Sequence, residues 1–68
     1  MLNAKQFDAL ATLLRMRPGS TRDAARAVMV KGLSVADAAR EVGAPYVQAY
    51  KAVQRARKGL ELVQRISA

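Results

Sequence analysis

Leu33-Ser34-Val35-Ala36-Asp37-Ala38-Ala39-Arg40-Glu41-Val42-Gly43-Ala44-Pro45-Tyr46-Val47-Gln48-Ala49-Tyr50-Lys51-Ala52-Val53 is the stretch on which the reading of this chain turns. Ser34, with Asp37 three residues on, predicts the N-terminus of a short helix, because a serine oxygen satisfies a free backbone N–H and an acid suits the helix dipole. Val35, Ala38, Ala39 and Val42 fall on one face of that helix. Gly43 ends it, supplying the positive φ of a turn. Pro45 then opens another helix, where its missing N–H needs no partner. A capped two-turn helix, a glycine turn and a second helix are the parts of a helix-turn-helix. Its helices cross closely, so a small residue must sit inside the first, and Ala39 meets that demand. Val42, Ala49 and Val53 close the small core between the two.

The flanking sequence reads the same way. Asn3 and Gln6 form a capping-box pattern. Phe7, Leu10, Leu13 and Leu14 then share one face of a helix over about residues 4–16, with Arg15 and Arg17 near its C-terminus. Pro18-Gly19-Ser20 stops it. Ser20 or Thr21 is the expected cap of a second helix, with Asp23 in its first turn. Ala24, Ala27, Val28 and Val30 carry that helix to Gly32, a left-handed stop. In the last helix Ala49, Val53, Ala56, Leu60 and Val63 form one continuous stripe. Gly59 interrupts it at a cost of about 1 kcal/mol relative to alanine. A bend or an end is expected there, with Leu60–Ser67 as a separate terminal helix. The fold class that follows is all-α: a small helical domain of four to five helices containing a helix-turn-helix. Residues 1–58 form the helix-turn-helix domain on this reading, and 59–68 a C-terminal helical segment.

Composition narrows the function. With 68 residues there is room for one small domain. The chain has no cysteine and no histidine, which removes disulfides, thiolate sites, the commonest metal ligand and the commonest general base. No enzyme activity, metal, cofactor or small-molecule substrate is expected. Asp37 and Glu41 are spaced to share a helix face, but no third ligand stands near them in sequence. Ser20, Thr21 and Ser34 read as caps before nucleophiles, since no histidine base exists. Met16 and Met29 read as core filler. The four glycines are isolated and form no phosphate loop. Apolar runs are far too short to span a bilayer, and no signal-peptide core follows Met1–Lys5. A cytoplasmic protein without a membrane partner is therefore expected.

Twelve Lys and Arg against five Asp and Glu give a formal charge of +7, which points to a polyanionic partner. With Ala49 and Val53 inward, helical geometry puts Val47, Lys51, Gln54 and Lys58 on the outward stripe, flanked by Tyr50 and Arg55. From Pro45 to Lys58 there are cations (Lys51, Arg55, Arg57, Lys58) and no acid. A solvated surface helix normally mixes both signs. Amides, a tyrosine and lysines on one outward face suit a helix in the major groove of double-stranded DNA. Arg22 and Arg26, spaced i,i+4, are candidates to grip phosphates, or else solvated surface. Tyr50 is expected to touch DNA; Tyr46 either does so or covers the alanine core.

The chain resembles the TrfB/KorA-type repressors of conjugative plasmids. The likeness rests on Leu2-Asn3-Ala4-Lys5-Gln6-Phe7, Asp23-Ala24-Ala25-Arg26, Gly32-Leu33-Ser34 and Ala38-Ala39-Arg40-Glu41-Val42-Gly43 with the helix that follows, over roughly residues 2–58. It implies a sequence-specific transcriptional repressor of plasmid or mobile-element genes that binds a palindromic operator as a dimer. It places Pro45, Tyr46, Val47, Tyr50, Lys51 and Gln54 on the recognition-helix surface. Beside them, Ser34, Arg22, Arg26, Arg55, Arg57 and Lys58 are the expected phosphate contacts. The chain departs from the family at Pro45, often Ser or Thr there, and at Ala49, usually a bulkier aliphatic. Better-known members also carry a C-terminal dimerisation domain, where this sequence has only Gly59–Ala68. A homodimer is expected to use Leu62 and Ile66, which lie off the stripe through which Leu60 and Val63 pack back on Phe7, Leu10 and Leu14; the alternative is that they complete the monomer core. Two other functions fit the residues: a DNA-binding module like region four of a sigma factor, and a helical protein-interaction module presenting Leu60, Leu62, Val63 and Ile66. A membrane-active basic helix over residues 46–66 is disfavoured by the capped helices upstream.

Overall fold

The computed structural model describes residues 2–67. Met1 and Ala68, the outer ends of the two expected segments, lie outside them. Four helices form: α1 (Ala4–Leu13), α2 (Ser20–Lys31), α3 (Val35–Val42) and α4 (Tyr46–Ser67). Among the described residues there is no strand. The all-α class is therefore as expected, with four helices.

The Asn3–Gln6 capping box is complete: Gln6 N–H donates to Asn3 Oδ1 at 2.8 Å and Asn3 N–H to Gln6 Oε1 at 2.9 Å. Ser34 caps α3 by accepting from Asp37 N–H at 3.1 Å. Gly43 leaves α3 at φ 71°, a conformation that costs an L-residue with a Cβ but not glycine. Ala44 N–H then donates back to Ala39 O at 3.0 Å, so the turn into α4 is closed by the backbone.

Three boundaries differ from the sequence reading. First, α1 ends at Leu13 rather than near residue 16. Arg15 takes the left-handed conformation at φ 56°. Arg15 N–H bonds Thr12 O at 3.1 Å and Met16 N–H bonds Ala11 O at 2.9 Å, a Schellman-type reversal with arginine where glycine is usual. The reversal turns Met16 into the core and leaves Leu13 exposed, and it takes Arg15 and Arg17 out of the helix. Second, Gly19, at φ 152°, stands at the N-cap of α2 with no side-chain cap bond, and Ser20 is already inside the helix. Third, α4 begins just after Pro45 and continues through Gly59 to Ser67. No separate terminal helix exists, because Gly59 is a contact rather than a break. A Cβ built there would stand 2.9 Å from Leu14 Cδ1, so the missing side chain is what lets α4 approach the end of α1.

Helix α2 is central, touching α1, α3 and α4; α4 also packs on α3 and α1, whereas α1 and α3 do not meet. Phe7 and Val53 are the largest fully buried side chains, and alanines 11, 24, 25, 27, 38, 39, 49, 52 and 56 make up most of the rest of the core. So little side-chain volume requires close helix backbones. Ala38 and Ala39 are both buried, as the crossing of α3 with its neighbours demands.

Candidate nucleic-acid interface

The first half of α4 has two faces of opposite character. Ala49, Ala52, Val53 and Ala56 are buried. Tyr46, Val47, Tyr50, Lys51, Gln54, Arg55 and Lys58 are exposed, as is Pro45 just before the helix. The outward stripe expected from the periodicity is thus the stripe that faces solvent. Its aromatic edge is ordered: the Tyr46 and Tyr50 rings stack with centroids 6.3 Å apart, and Gln54 Nε2 donates to Tyr50 Oη at 2.9 Å. Tyr46 therefore covers no core; it braces Tyr50.

The charge pattern divides along the chain. Asp37 pairs with Arg40, Glu41 with Lys31 at 3.0 Å, Glu61 with Arg65 at 2.6 Å, and Asp8 lies 3.8 Å from Arg22. Asp37 and Glu41 thus turn to separate cations rather than to each other. Exposed pairs of this kind contribute about 0–1 kcal/mol each, so their larger effect is to neutralise the surface they occupy. Among the described residues, no acid pairs with Lys51, Arg55, Arg57 or Lys58. Positive charge is left concentrated on α4 ahead of Gly59.

The expected phosphate contacts fall into separate places. Arg22 and Arg55 come together with Lys51 at an open cleft of about 360 Å³ between the α1–α2 turn and α4, with Arg17, Thr21 and Gln48 on its walls. Arg22 Nη1 donates to Met16 O at 3.2 Å, and the Arg55 guanidinium donates to Leu14 O. Both thus tie the turn to its neighbours as well as carrying charge. Arg26 stands elsewhere, in a depression shared with Asp23, Lys31 and Glu41, where the charges are mixed. Arg57 lies on the other flank of α4, beside Leu2, Met29 and Gln64. Ser34, at the head of α3, spends an oxygen lone pair on its cap. Gln48 and Arg17 belong to this surface and were missed from sequence. Gln48 was findable, because it sits three residues before Lys51 and seven before Arg55. Arg17 was not, because only the reversal at Arg15 brings it to α4.

At the far end of α4, Leu62 is 44% exposed and Ile66 85%. Leu60 and Val63 are half-buried and border a groove with Leu10 and Leu13. Leu60 packs against the core as expected, whereas Val63 borders the groove without joining the core, and Leu62 and Ile66 do not complete the monomer core. Among the described residues no helix is long and apolar enough to cross a membrane. No protein-family model matches the chain, and neither a curated protein nor a solved structure matches it.

Proposed function

We propose that α3, the Gly43 turn and α4 act as a helix-turn-helix, and that the protein binds double-stranded DNA sequence-specifically with the first half of α4 in the major groove. One observation carries this reading. The solvent-facing side of α4 from Tyr46 to Lys58 holds cations, amides and tyrosines without a single acid, while its other side is buried in alanine. Amide and lysine side chains read base edges, and flanking arginines hold phosphates. Pro45, Tyr46, Val47, Tyr50, Lys51 and Gln54 are the reading surface; Arg22, Arg55, Arg57 and Lys58 flank it. The repressor role and the plasmid or mobile-element setting rest on the resemblance to the TrfB/KorA-type repressors.

Selection of duplexes from a random pool, followed by binding titrations, tests the proposal. With ~3–5 phosphates neutralised per protomer, log K against log salt should slope by about −3 to −5. Lys51→Ala and Gln54→Ala should each cost ~1–3 kcal/mol on the selected duplex and relax preference at one position. Arg57→Ala should weaken selected and random duplexes about equally. A flat salt response, or three substitutions acting alike on both duplexes, overturns the reading.

A single helix of this kind reads only a few base pairs, and pairing on half-sites about one helical turn apart is the usual remedy. Leu62 and Ile66 supply the apolar surface for a second copy. Leu62 lies twelve residues past Tyr50, about 18 Å along the axis at ~1.5 Å per residue, clear of the groove. Sedimentation of the wild type should show dimers at high micromolar concentration, and Leu62→Lys with Ile66→Lys should give folded monomers. A monomeric wild type defeats dimerisation through this face; so does a double variant that unfolds.

A further inference from the structure

We propose that the cleft between the α1–α2 turn and α4 seats one backbone phosphodiester of the bound duplex and so sets the register of α4 in the groove. The inference rests on the DNA-binding reading above and adds to it a site that joins the α1–α2 turn to one flank of α4. Four cationic side chains, Arg17, Arg22, Lys51 and Arg55, border the cleft, and no carboxylate lines it. A second depression, of about 290 Å³ between α2 and α3, holds Asp23 and Glu41 beside its cations, so sign, rather than concavity, singles out this cleft.

Two of its three arginines are held in place before any anion arrives. Arg22 Nη1 is fixed by Met16 O and the Arg55 guanidinium by Leu14 O. A guanidinium carries five N–H donors in a rigid fork. One spent on a carbonyl leaves others free, and the anchored side chain has less rotamer freedom to lose on binding. Asp8 lies 3.8 Å from Arg22 Nη2 and does not line the cleft. The start of α2 borders the same space through Thr21. Gly19 makes no side-chain cap there, so the positive end of the α2 dipole lies uncapped beside the cleft. Arg17 is the one lining arginine whose side chain makes no hydrogen bond or ion pair among the described residues, which makes it the clean probe.

Arg17→Gln is compared with Arg26→Gln, an equal loss of charge outside the cleft. On a duplex selected by the wild type, Arg17→Gln should make the salt slope less negative, by at most about 0.9, the value of one whole phosphate contact. Arg26→Gln should leave the slope near wild type. Replacing the duplex phosphates one at a time by neutral methylphosphonates should then find one position whose replacement weakens wild type more than it weakens Arg17→Gln, which keeps the other three cations of the cleft. Equal slopes for Arg17→Gln and wild type overturn the seat, as do equal changes in both variants or a methylphosphonate effect that never depends on Arg17. In each of those outcomes duplex binding itself stands. A wild type that binds no duplex overturns the DNA reading instead. Thermal melts of both variants, expected to match wild type, keep the comparison free of folding effects.

Discussion

The two halves of α4 are one helix built to two specifications. Before Gly59, every turn buries an alanine or valine against α2 and α3, and the outer face carries cations without acids. After Gly59 none of the described residues is buried, Glu61 pairs with Arg65, and Leu62 and Ile66 stand in solvent. The first half is held rigidly by that burial, the support from behind that the proposed groove-reading surface requires. The second half is held by its continuity with the first and by half-buried Leu60. On the proposed reading the difference separates two tasks: a fixed face for recognition, and an under-covered face for a second copy to complete.

The same substitution on each side of Gly59 should expose that difference most strongly. Val53 is fully buried, while Val63 is half-exposed. Val53→Ala should cost about 2 kcal/mol, from lost burial at ~0.8 kcal/mol per methylene plus a residual cavity. For a domain this small, that is a large part of the whole stability. Val63→Ala should cost under about 1 kcal/mol. Urea titration of both variants checks this, and equal midpoints would mean the two halves are equally supported.

A second substitution tests the support behind the first half. Ala39, 5% exposed, sits where α3 crosses its neighbours. Ala39→Leu adds volume to a region with no slack and should cost ~1–3 kcal/mol. It should also lower duplex affinity by shifting α4. A melt unchanged by the substitution would show that α3 can move away from α4, and that the rigid half is less fixed than its burial implies.

How much of this was legible in the sequence follows from the range of the forces involved. The Asn3–Gln6 box, the Ser34 cap, the Gly32 and Gly43 stops and the inward stripe of α4 are short-range, and each is written within a few residues. The end of α1 was not legible, because the left-handed residue there is Arg15 rather than glycine. What stabilises that reversal is the burial of Met16 and the tethers from Arg22 and Arg55, the latter 41 residues from its acceptor. The cleft depends on the same long-range closure. Arg26 and Arg22 share a spacing that suggests one role, yet the packing of α3 places Arg26 beside Glu41 and leaves Arg22 facing α4.

Gly59, the boundary between the halves, should give the smallest net effect and the most informative cycle. Read locally, it is a weakness: glycine inside a helix costs ~1 kcal/mol relative to alanine. Read in the fold, it is a contact, since a Cβ there would lie 2.9 Å and 3.0 Å from the two methyl carbons of Leu14 and 3.3 Å from its Cγ. The methyls are the far end of a half-buried side chain and can swing aside, but only by giving up packing at the end of α1. Gly59→Ala should therefore change stability by less than about 0.5 kcal/mol, the propensity gain offset by the displaced leucine. In a Leu14→Ala background the obstacle is gone, and the same substitution should recover close to the full ~1 kcal/mol. Neighbouring residues that share one space are expected to couple in this way. If Gly59→Ala stabilises equally in both backgrounds, Leu14 does not hold the two helices together at this point. The glycine would then mark only a change in surface character along α4.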